Sequence, residues 1–321
     1  MENFQLISNI KVNGKITTLI LLKNKKDIAI CTTNGFILVF NIKLFRQKLS
    51  KEIINKTILD IIEIKDKYCI SCWDFNIRII QFCENNTICN VIQTLTGHQS
   101  FINALKRLNF FQNEDVFASS GNDGKIILWK YENNSFNKFQ EIKYIDDVIE
   151  DPNLRQIEGI EESTKYQQLI CSYSVSEIIF FCNLNNITEI VPLNSKVNRC
   201  IRALKIIENE DILLVAGNQE INVIDIGQKS ILISIKYGII CQFNCIFQKK
   251  NGNLLITEYD DENITKIKEF KFDRKGLSLS LINMKENFFK EYITTIIELD
   301  KGDLIIGGYD GTFKFFKKLI K

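Results

Sequence analysis

The amino-acid sequence predicts an all-β fold made of repeated small sheets. Short apolar runs rich in Ile, Val and Phe recur along the 321-residue chain, and clusters of Asn, Asp, Gly and Lys separate them. Runs such as "FILVFNI", "IRIIQF" and "INVIDI" have the length and composition of strands. No segment of about 12 residues carries the i, i+3, i+4, i+7 spacing of an amphipathic helix. The predicted class is therefore all-β.

The strands repeat at a regular interval, which predicts how they are arranged. A tight turn before the third strand of each unit falls near residues 34, 74, 123, 175, 218, 261 and 310, so successive turns lie 40 to 52 residues apart. Four-stranded propeller blades recur every 40–45 residues or so, and loop insertions lengthen them. Seven turns therefore predict a single domain over residues 1–321, a seven-bladed β-propeller of four-stranded antiparallel blades.

The first strand of each unit has apolar positions three residues apart, as at Ile102 and Leu105. The second strand carries small residues such as Ala118, which suit blades that taper inward. The last unit has no room for a fourth strand after "TFKFFK" at 312–317, whereas "FQLISNIKV" at 4–12 precedes the first complete unit. We expect residues 4–12 to form the outer strand of blade seven, because this pairing removes two open sheet edges.

Composition excludes several classes of function. The formal net charge is +2, from 41 basic and 39 acidic residues, which gives no overall field to hold nucleic acid or an anionic membrane. No apolar run is long enough to span a bilayer, and the first residues lack the pattern of a signal peptide. We expect a protein of the cytoplasm or nucleus, without a membrane span, whose ten cysteines stay reduced.

Two cysteine pairs raise the question of a metal site. Cys69 and Cys72 lie on one predicted strand, where residues three apart point to opposite faces. Cys241 and Cys245 share a face, but roughly 13 Å of strand rise separates them. Neither pair can close on one ion unaided, so we expect no metal or other cofactor.

Three residues have the side chains of a hydrolase triad: His98, the only histidine, Ser119 and Asp123. A triad needs an exposed nucleophile beside an oxyanion hole. Ser119 instead falls within a predicted interior strand, and "FASSGNDG" lacks the Gly-x-Ser-x-Gly elbow that exposes a serine. The sequence therefore predicts a structural role for these residues and no catalytic activity.

The same stretch resembles the WD-repeat β-propeller family. It contains Gly97-His98, Ser119, Asp123 and Trp129, although Lys130 follows where the family usually has Asp. The resemblance implies a hydrogen-bond network in which Asp123 accepts from His98, and His98 and Ser119 lead on to Trp129. The other six units lack the full pattern, so we expect packing and strand ladders to hold them.

The resemblance also implies candidate partner-binding positions. In this family the residue before the turn Asp, and the residue before the first apolar position of the inner strand, tend to face the ligand. The first position gives Trp73, Asn122, Asp260 and Tyr309, and the second gives Lys15, Phe101, Cys200, Gln242 and Tyr292. From these we select Trp73, Phe101, Asn122, Asp260, Tyr292 and Tyr309 as candidate partner-binding residues, since exposed aromatics commonly anchor protein interfaces.

The predicted function is a non-catalytic scaffold, a subunit of a larger complex, that binds a peptide or partner loop on its top face. One alternative is a platform that binds nucleic acid or phosphoinositide through lysine-rich hairpins. The basic residues of those hairpins are "KNKK" at 23–26, Lys65, Lys67, Lys249, Lys250, Arg274 and Lys275. Another alternative is an enzyme or small-molecule binder that uses the central channel. The acidic stretch at 146–152 is either a solvated loop or a dock for a basic segment.

Overall fold

The computed structural model describes residues 4–143, 156–173, 179–186, 190–192, 201–207, 211–237, 241–287 and 289–319. The predicted turn near 175, Cys200 and the acidic stretch at 146–152 lie outside the described residues. Within the described ranges the strands form seven sheets of four antiparallel strands, here called blades one to seven. None of the helical turns in these ranges is long and apolar enough to span a bilayer.

The described chain comprises two compact units, and the first covers residues 20–201. Blade one contains β2 (Ile16–Leu21), β3 (Asp27–Thr32), β4 (Phe36–Asn41) and β5 (Arg46–Glu52). Blade two contains β6 (Ile58–Ile64), β7 (Lys67–Cys72), β8 (Ile77–Cys83) and β9 (Ile88–Leu95), with a short 3₁₀ turn at Glu84–Asn86. Blade three contains β10 (Ile102–Leu108), β11 (Val116–Gly121), β12 (Lys125–Glu132) and β13 (Ser135–Lys143). Blade four contains β14 (Ile157–Ser163), β15 (Gln168–Tyr173), β16 (Ile179–Asn183) and β17 (Ile190–Pro192).

The second unit covers residues 1–19 and 202–321, and so includes the beginning of β2. Blade five contains β18 (Ala203–Ile207), β19 (Ile212–Ala216), β20 (Glu220–Asp225) and β21 (Ser230–Lys236). Blade six contains β22 (Cys241–Gln248), β23 (Leu254–Asp260), β24 (Thr265–Asp273) and β25 (Ser278–Glu286). Blade seven contains β26 (Ile293–Glu298), β27 (Leu304–Gly308), β28 (Thr312–Lys318) and β1 (Phe4–Lys11).

The N-terminal strand completes the last blade, as the sequence predicts. β1 pairs antiparallel with β28, from Phe4 opposite Lys318 to Lys11 opposite Thr312. The order of strands in blade seven is therefore β1, β28, β27, β26. Val12 extends the contact beyond β1, because its N–H donates to the carbonyl of Gly311 at 2.9 Å.

The hydrophobic cores of each unit lie between neighbouring blades. In the first unit, Phe117, Ile127 and Trp129 of blade three pack with Ile77 and Ile79 of blade two. Further apolar clusters join blade one to blade two and blade three to blade four. In the second unit, one cluster joins blades five and six, and another joins blades six and seven and includes Phe4 of β1. The second strands β11, β19 and β27 are buried along their whole length.

Candidate functional site

The turn between β11 and β12 holds a chain of four side chains. Trp129 Nε1 donates to Ser119 Oγ at 2.8 Å, and Ser119 Oγ lies 2.8 Å from His98 Nε2. His98 Nδ1 lies 3.0 Å from Asp123 Oδ1. The neutral histidine with its proton on Nδ1 satisfies every member, since it donates to Asp123 and accepts from the Ser119 hydroxyl.

Asp123 also binds the backbone on both sides of the turn. Its carboxylate accepts the N–H of Gln99 at 2.8 Å and the N–H of Lys125 at 3.2 Å. Burial by itself raises the pKa of this carboxyl, but the hydrogen bonds from His98 and the two backbone groups outweigh burial and hold the pKa below its ordinary value. The network therefore joins the connection that enters β10 to the turn that leaves β11.

Two glycines that the sequence analysis gave no role make room for this network. A Cβ at Gly121 would lie 2.5 Å from the carbonyl oxygen of Phe101 and 3.2 Å from His98 Nδ1. A Cβ at Gly97 would lie 3.1 Å from Ile127 Cδ1 and 3.3 Å from the Trp129 ring. The Gly-His pair is thus explained by packing, because the glycine lets the connection lie against the tryptophan.

This arrangement cannot act as a hydrolase triad. The Ser119 side chain is completely buried within β11, and its oxygen already accepts from Trp129. A nucleophile must reach its substrate, and no substrate can reach this hydroxyl.

In two other described blades the turn carboxylate has a different side-chain partner. The expectation that packing and strand ladders replace the hydrogen-bond network is therefore wrong for blades two and six. In blade two, Arg78 holds Asp74 through two hydrogen bonds of 2.9 and 2.6 Å. In blade six, Lys266 Nζ lies 2.8 Å from Asp260 Oδ2. A basic side chain from the following strand thus takes the part that His98 plays in blade three.

Blade seven does replace the network by packing. Asp310 keeps the backbone contacts of Asp123, since it accepts the N–H groups of Lys290 and Thr312 at 3.0 and 2.9 Å. Phe289 precedes β26 at the position that His98 occupies before β10, and Ile306 and Phe316 replace Ser119 and Trp129. All three apolar residues lie in one buried cluster. Blade seven thus has three apolar side chains where blade three has the hydrogen-bonded His98, Ser119 and Trp129.

The register of blade six differs from the expectation by one residue. Gln242, the residue before Phe243 of β22, lies opposite Tyr259. Phe101 and Tyr292 have the same place in blades three and seven, where the residues after them, Ile102 and Ile293, pair with Gly121 and Gly308. Tyr259, not Asp260, therefore occupies the position before the turn acid. The reason is a longer turn, in which Asp260 Oδ1 accepts the N–H of Ile264 at 2.8 Å. Asp260 is buried and paired with Lys266, so it belongs to the turn itself.

The rim of the first unit carries an aromatic cluster. Trp73, which precedes the turn acid of blade two, stacks on Phe101, which precedes β10 of blade three, with ring centroids 4.6 Å apart and an interplanar angle of 28°. Phe75 lies 5.5 Å from Phe101 at 58°. Trp73 is 40% exposed and Phe75 is 39% exposed. We call these three rings the aromatic platform. Trp73 and Phe101 are among the candidate residues predicted from the sequence, whereas Phe75 is not.

The rim of the second unit carries a tyrosine cluster. Tyr292 and Tyr309 stack at 4.5 Å and 16°, and Tyr259 meets Tyr292 edge-on at 6.4 Å. Lys15 Nζ lies 4.5 Å above the Tyr309 ring and 3.0 Å from Glu291. Burial and the neighbouring Tyr309 raise the pKa of the Tyr292 phenol. The ammonium group of Lys15 thus already covers part of the Tyr309 face of this cluster.

Asn122 is the remaining candidate, and its side chain is already bound. Asn103 Nδ2 donates to Asn122 Oδ1 at 2.5 Å and to the carbonyl of Ile157 at 2.9 Å. The pair links blade three to the first strand of blade four. Asn122 thus contributes to the joint between two blades at the rim.

Four lysines of the lysine-rich hairpins lie beside carboxylates. Lys65 lies 3.8 Å from Asp115, Lys67 lies 3.2 Å from Asp66, and Lys249 lies 2.8 Å from Glu269. A cavity of about 550 Å³ is lined by Lys249, Lys250 and Lys271, but Glu298 lines it as well and Lys250 pairs with Asp300 at 3.3 Å. These pairs partly neutralise the charge that binding of nucleic acid would need at these four lysines.

Among the described residues, no group of three or more His, Cys, Asp or Glu side chains could hold a metal ion. Cys69, Cys72 and Cys241 are buried, and burial raises the pKa of each thiol. Such thiols are poor nucleophiles and metal ligands. These cysteines serve as small apolar residues of the core.

Comparisons with known proteins agree with this geometry. Residues 89–130, which contain the whole blade-three network, match the family model described as "WD domain, G-beta repeat". Among solved structures the chain is similar to the WD40 β-propeller domain of Doa1, with a TM-score of 0.72 and 13% sequence identity over 99% of this chain and 98% of that chain. A comparison with curated proteins finds no match.

Seven four-stranded antiparallel blades together with this likeness define the class: the protein has the fold of a seven-bladed β-propeller. The sequence match in blade three carries the identification one step further. It agrees with the predicted resemblance: residues 89–130 are similar to a WD repeat, and the whole chain has the fold of a WD40 β-propeller.

Proposed function

We propose that the protein is a non-catalytic scaffold that binds a peptide or a loop of a partner protein through the aromatic side chains at the rim of its blades. WD-repeat propellers are typically interaction scaffolds, and this chain has the fold and one recognisable repeat. The observation that carries the proposal is the stack of the exposed Trp73 on the half-buried Phe101.

The chemistry of this stack supports a binding role. Tryptophan is the residue type most enriched at the energetic centres of protein interfaces, because it buries a large area with few rotatable bonds. Trp73 and Phe101 come from successive blades, so a segment laid across them contacts two blades at once. The tyrosine cluster offers a similar surface on the second unit, with Tyr292 and Tyr309 at the same two positions.

Affinity purification with quantitative mass spectrometry tests the proposal. We expect the wild-type chain to recover a defined set of proteins that the double variant Trp73→Ala/Phe101→Ala loses. Phe139→Ala is the matched control, since it removes a ring that is 46% exposed on the outer strand of blade three. Recovery of the same proteins by all three chains, or of none by the wild type, would contradict the proposal.

We further propose that the chain acts in the cytoplasm as a subunit of a larger complex. Gel filtration of a cytoplasmic extract provides the measurement. The chain should elute well before the position expected for its monomer of 37.3 kDa. Elution at the monomer position would argue against this assignment.

A further inference from the structure

Phe75 occupies a backbone position that three other blades fill with glycine and blade five fills with Gln219. The same tight turn occurs in blades one, two, three and seven, closed by N–H to carbonyl bonds of 3.0 to 3.2 Å. Its fourth residue, which donates the closing N–H, has a positive φ in each case: +79° at Gly35, +68° at Phe75, +69° at Gly124 and +78° at Gly311. Left-handed backbone is strained for a bulky side chain, because Cβ crowds the backbone carbonyl oxygen. Blade two therefore bears a strain that three other blades avoid.

The structure shows why a side chain fits only in some of these turns. A Cβ at Gly35 would collide with the carbonyl oxygen of Ile54, and a Cβ at Gly311 would lie 2.5 Å from that of Gly14. In both blades the connection into the next blade crosses directly over the turn. Phe75 has room, and its ring projects to the surface beside Trp73 and Phe101. Space permits this phenylalanine, but nothing in the packing of the core demands it.

Strain that the fold does not need is typical of functional positions. Building on the scaffold function proposed above, we infer that Phe75 completes with Trp73 and Phe101 a docking site for an apolar anchor side chain on a loop or peptide of a partner protein. Phe75 lies at 58° to Phe101 and so gives the flat stack a side wall. An apolar side chain placed there touches rings in two orientations.

Charge decides between an apolar anchor and a cationic one. Two lysines that lie over other rings at the rim and on an outer strand also have a carboxylate: Lys15 over the half-buried Tyr309 pairs with Glu291, and Lys130 over the exposed Phe139 pairs with Glu114. At the platform the carboxylate of Asp74, which lies between Trp73 and Phe75 in the sequence, is already held by Arg78 through two hydrogen bonds. A partner's lysine would find Asp74 already paired, whereas an apolar side chain needs no carboxylate.

Two substitutions separate the strain from the ring. Phe75→Ala removes the ring and keeps a Cβ in the left-handed turn, whereas Phe75→Gly removes both. We expect the glycine variant to melt about 1–3 °C above the alanine variant, since only alanine retains the strain. A glycine variant that melts no higher would show that the turn is unstrained and would overturn the inference.

Binding is measured with peptides selected from a random-peptide display library against the folded wild-type chain and then synthesised. The chain has two tryptophans, so its spectrum contains two indole N–H signals, and that of Trp129 belongs to the buried network. We expect the selected peptides to share an apolar anchor, to shift the Trp73 signal, and to bind both Phe75 variants about tenfold more weakly. Phe139→Ala should bind them like the wild type.

The other outcomes each have a definite meaning. Peptides that depend on Lys or Arg, or that bind the Phe75 variants as well as the wild type, would overturn the inference. If Tyr309→Ala abolishes binding while Phe75→Ala does not, the platform is wrong as the docking site and the scaffold function stands. If no selected peptide binds any part of the rim, both proposals fail.

Discussion

Ser119 joins two buried polar groups, the indole of Trp129 and the imidazole of His98. Ser119→Ala leaves both without this partner, so we expect the free energy of unfolding to fall by about 1–3 kcal/mol. Denaturant unfolding provides the measurement. Ser50→Ala, at an exposed serine of β5, is the control and should change stability by less than about 0.5 kcal/mol. Unchanged stability of Ser119→Ala would mean that the hydroxyl is not structural.

Asp123 gives the network a dependence on pH. Its folded-state pKa lies below the ordinary value of about 3.9, so the ionised carboxylate stabilises the folded chain above that pH. This contribution disappears as the pH falls through the folded-state pKa. The difference in unfolding free energy between the wild type and Asp123→Asn should therefore be largest at neutral pH and shrink below about pH 4. Denaturant unfolding of both proteins across this range measures it, and a difference independent of pH would exclude the charge as its source.

At the scale of the element, the turns of four blades are held by three different chemistries. Blade three uses His98, blades two and six use Arg78 and Lys266, and blade seven uses the apolar Phe289 with backbone contacts. The turn has the same task in all four, since it returns the chain from the second strand to the third, although it is longer in blade six. Residues that brace it are free to vary as long as the turn acid is satisfied or its surroundings become apolar.

Arg78→Met tests this account in blade two. The substitution retains the side-chain stem but leaves the partly buried Asp74 without its counter-ion, so we expect the free energy of unfolding to fall by about 1–2 kcal/mol. Arg78→Lys restores the charge without the two-bonded geometry and should recover only part of this loss. Lys15→Met removes a well-exposed pair and serves as the control, with an expected change of about 0–1 kcal/mol. If Arg78→Met were as stable as the control, packing alone would hold the turn.

Most of the outer strands contain a β-bulge. Six of them contain one residue more than the strand they pair with, namely Ile7, Lys48, Ile92, Phe139, Leu232 and Ile282. A bulge bends the edge of a sheet and interrupts its row of backbone groups, which hinders pairing with a further strand. This favours docking at the rim over strand addition at the blade edges.

At the scale of the whole molecule, closure of blade seven by β1 joins the two ends of the chain. Removal of residues 1–11 would expose the edge of β28 and withdraw Phe4 from the core between blades six and seven. We expect the unfolding free energy to fall by at least about 3 kcal/mol, the cost of losing a buried phenylalanine alone. Chemical denaturation measures this loss. Leu6→Ala, at an exposed position of the same strand, should have little effect, and a truncated chain that unfolds at the wild-type midpoint would show that the closure adds no stability.

The sequence by itself determined the all-β class, the seven repeats that form the blades, the closing strand and the residues of the blade-three turn. These features follow from local patterns, since apolar runs, tight turns and the spacing of the repeat can be identified in the sequence. Trp73, Phe101, Tyr292 and Tyr309 were selected from what the family resemblance implies for their positions in the repeat, and their binding of a partner stays a prediction.

Only the tertiary structure decided the rest. The longer turn that moves Tyr259 into the place assigned to Asp260, and the basic residues that brace blades two and six, depend on which side chains meet across strands. Phe75 gave no signal, because its turn reads like any other until the left-handed backbone and the neighbouring rings are seen. Contacts between strands are set by register and by the space that adjoining connections leave, and neither is visible in a local pattern.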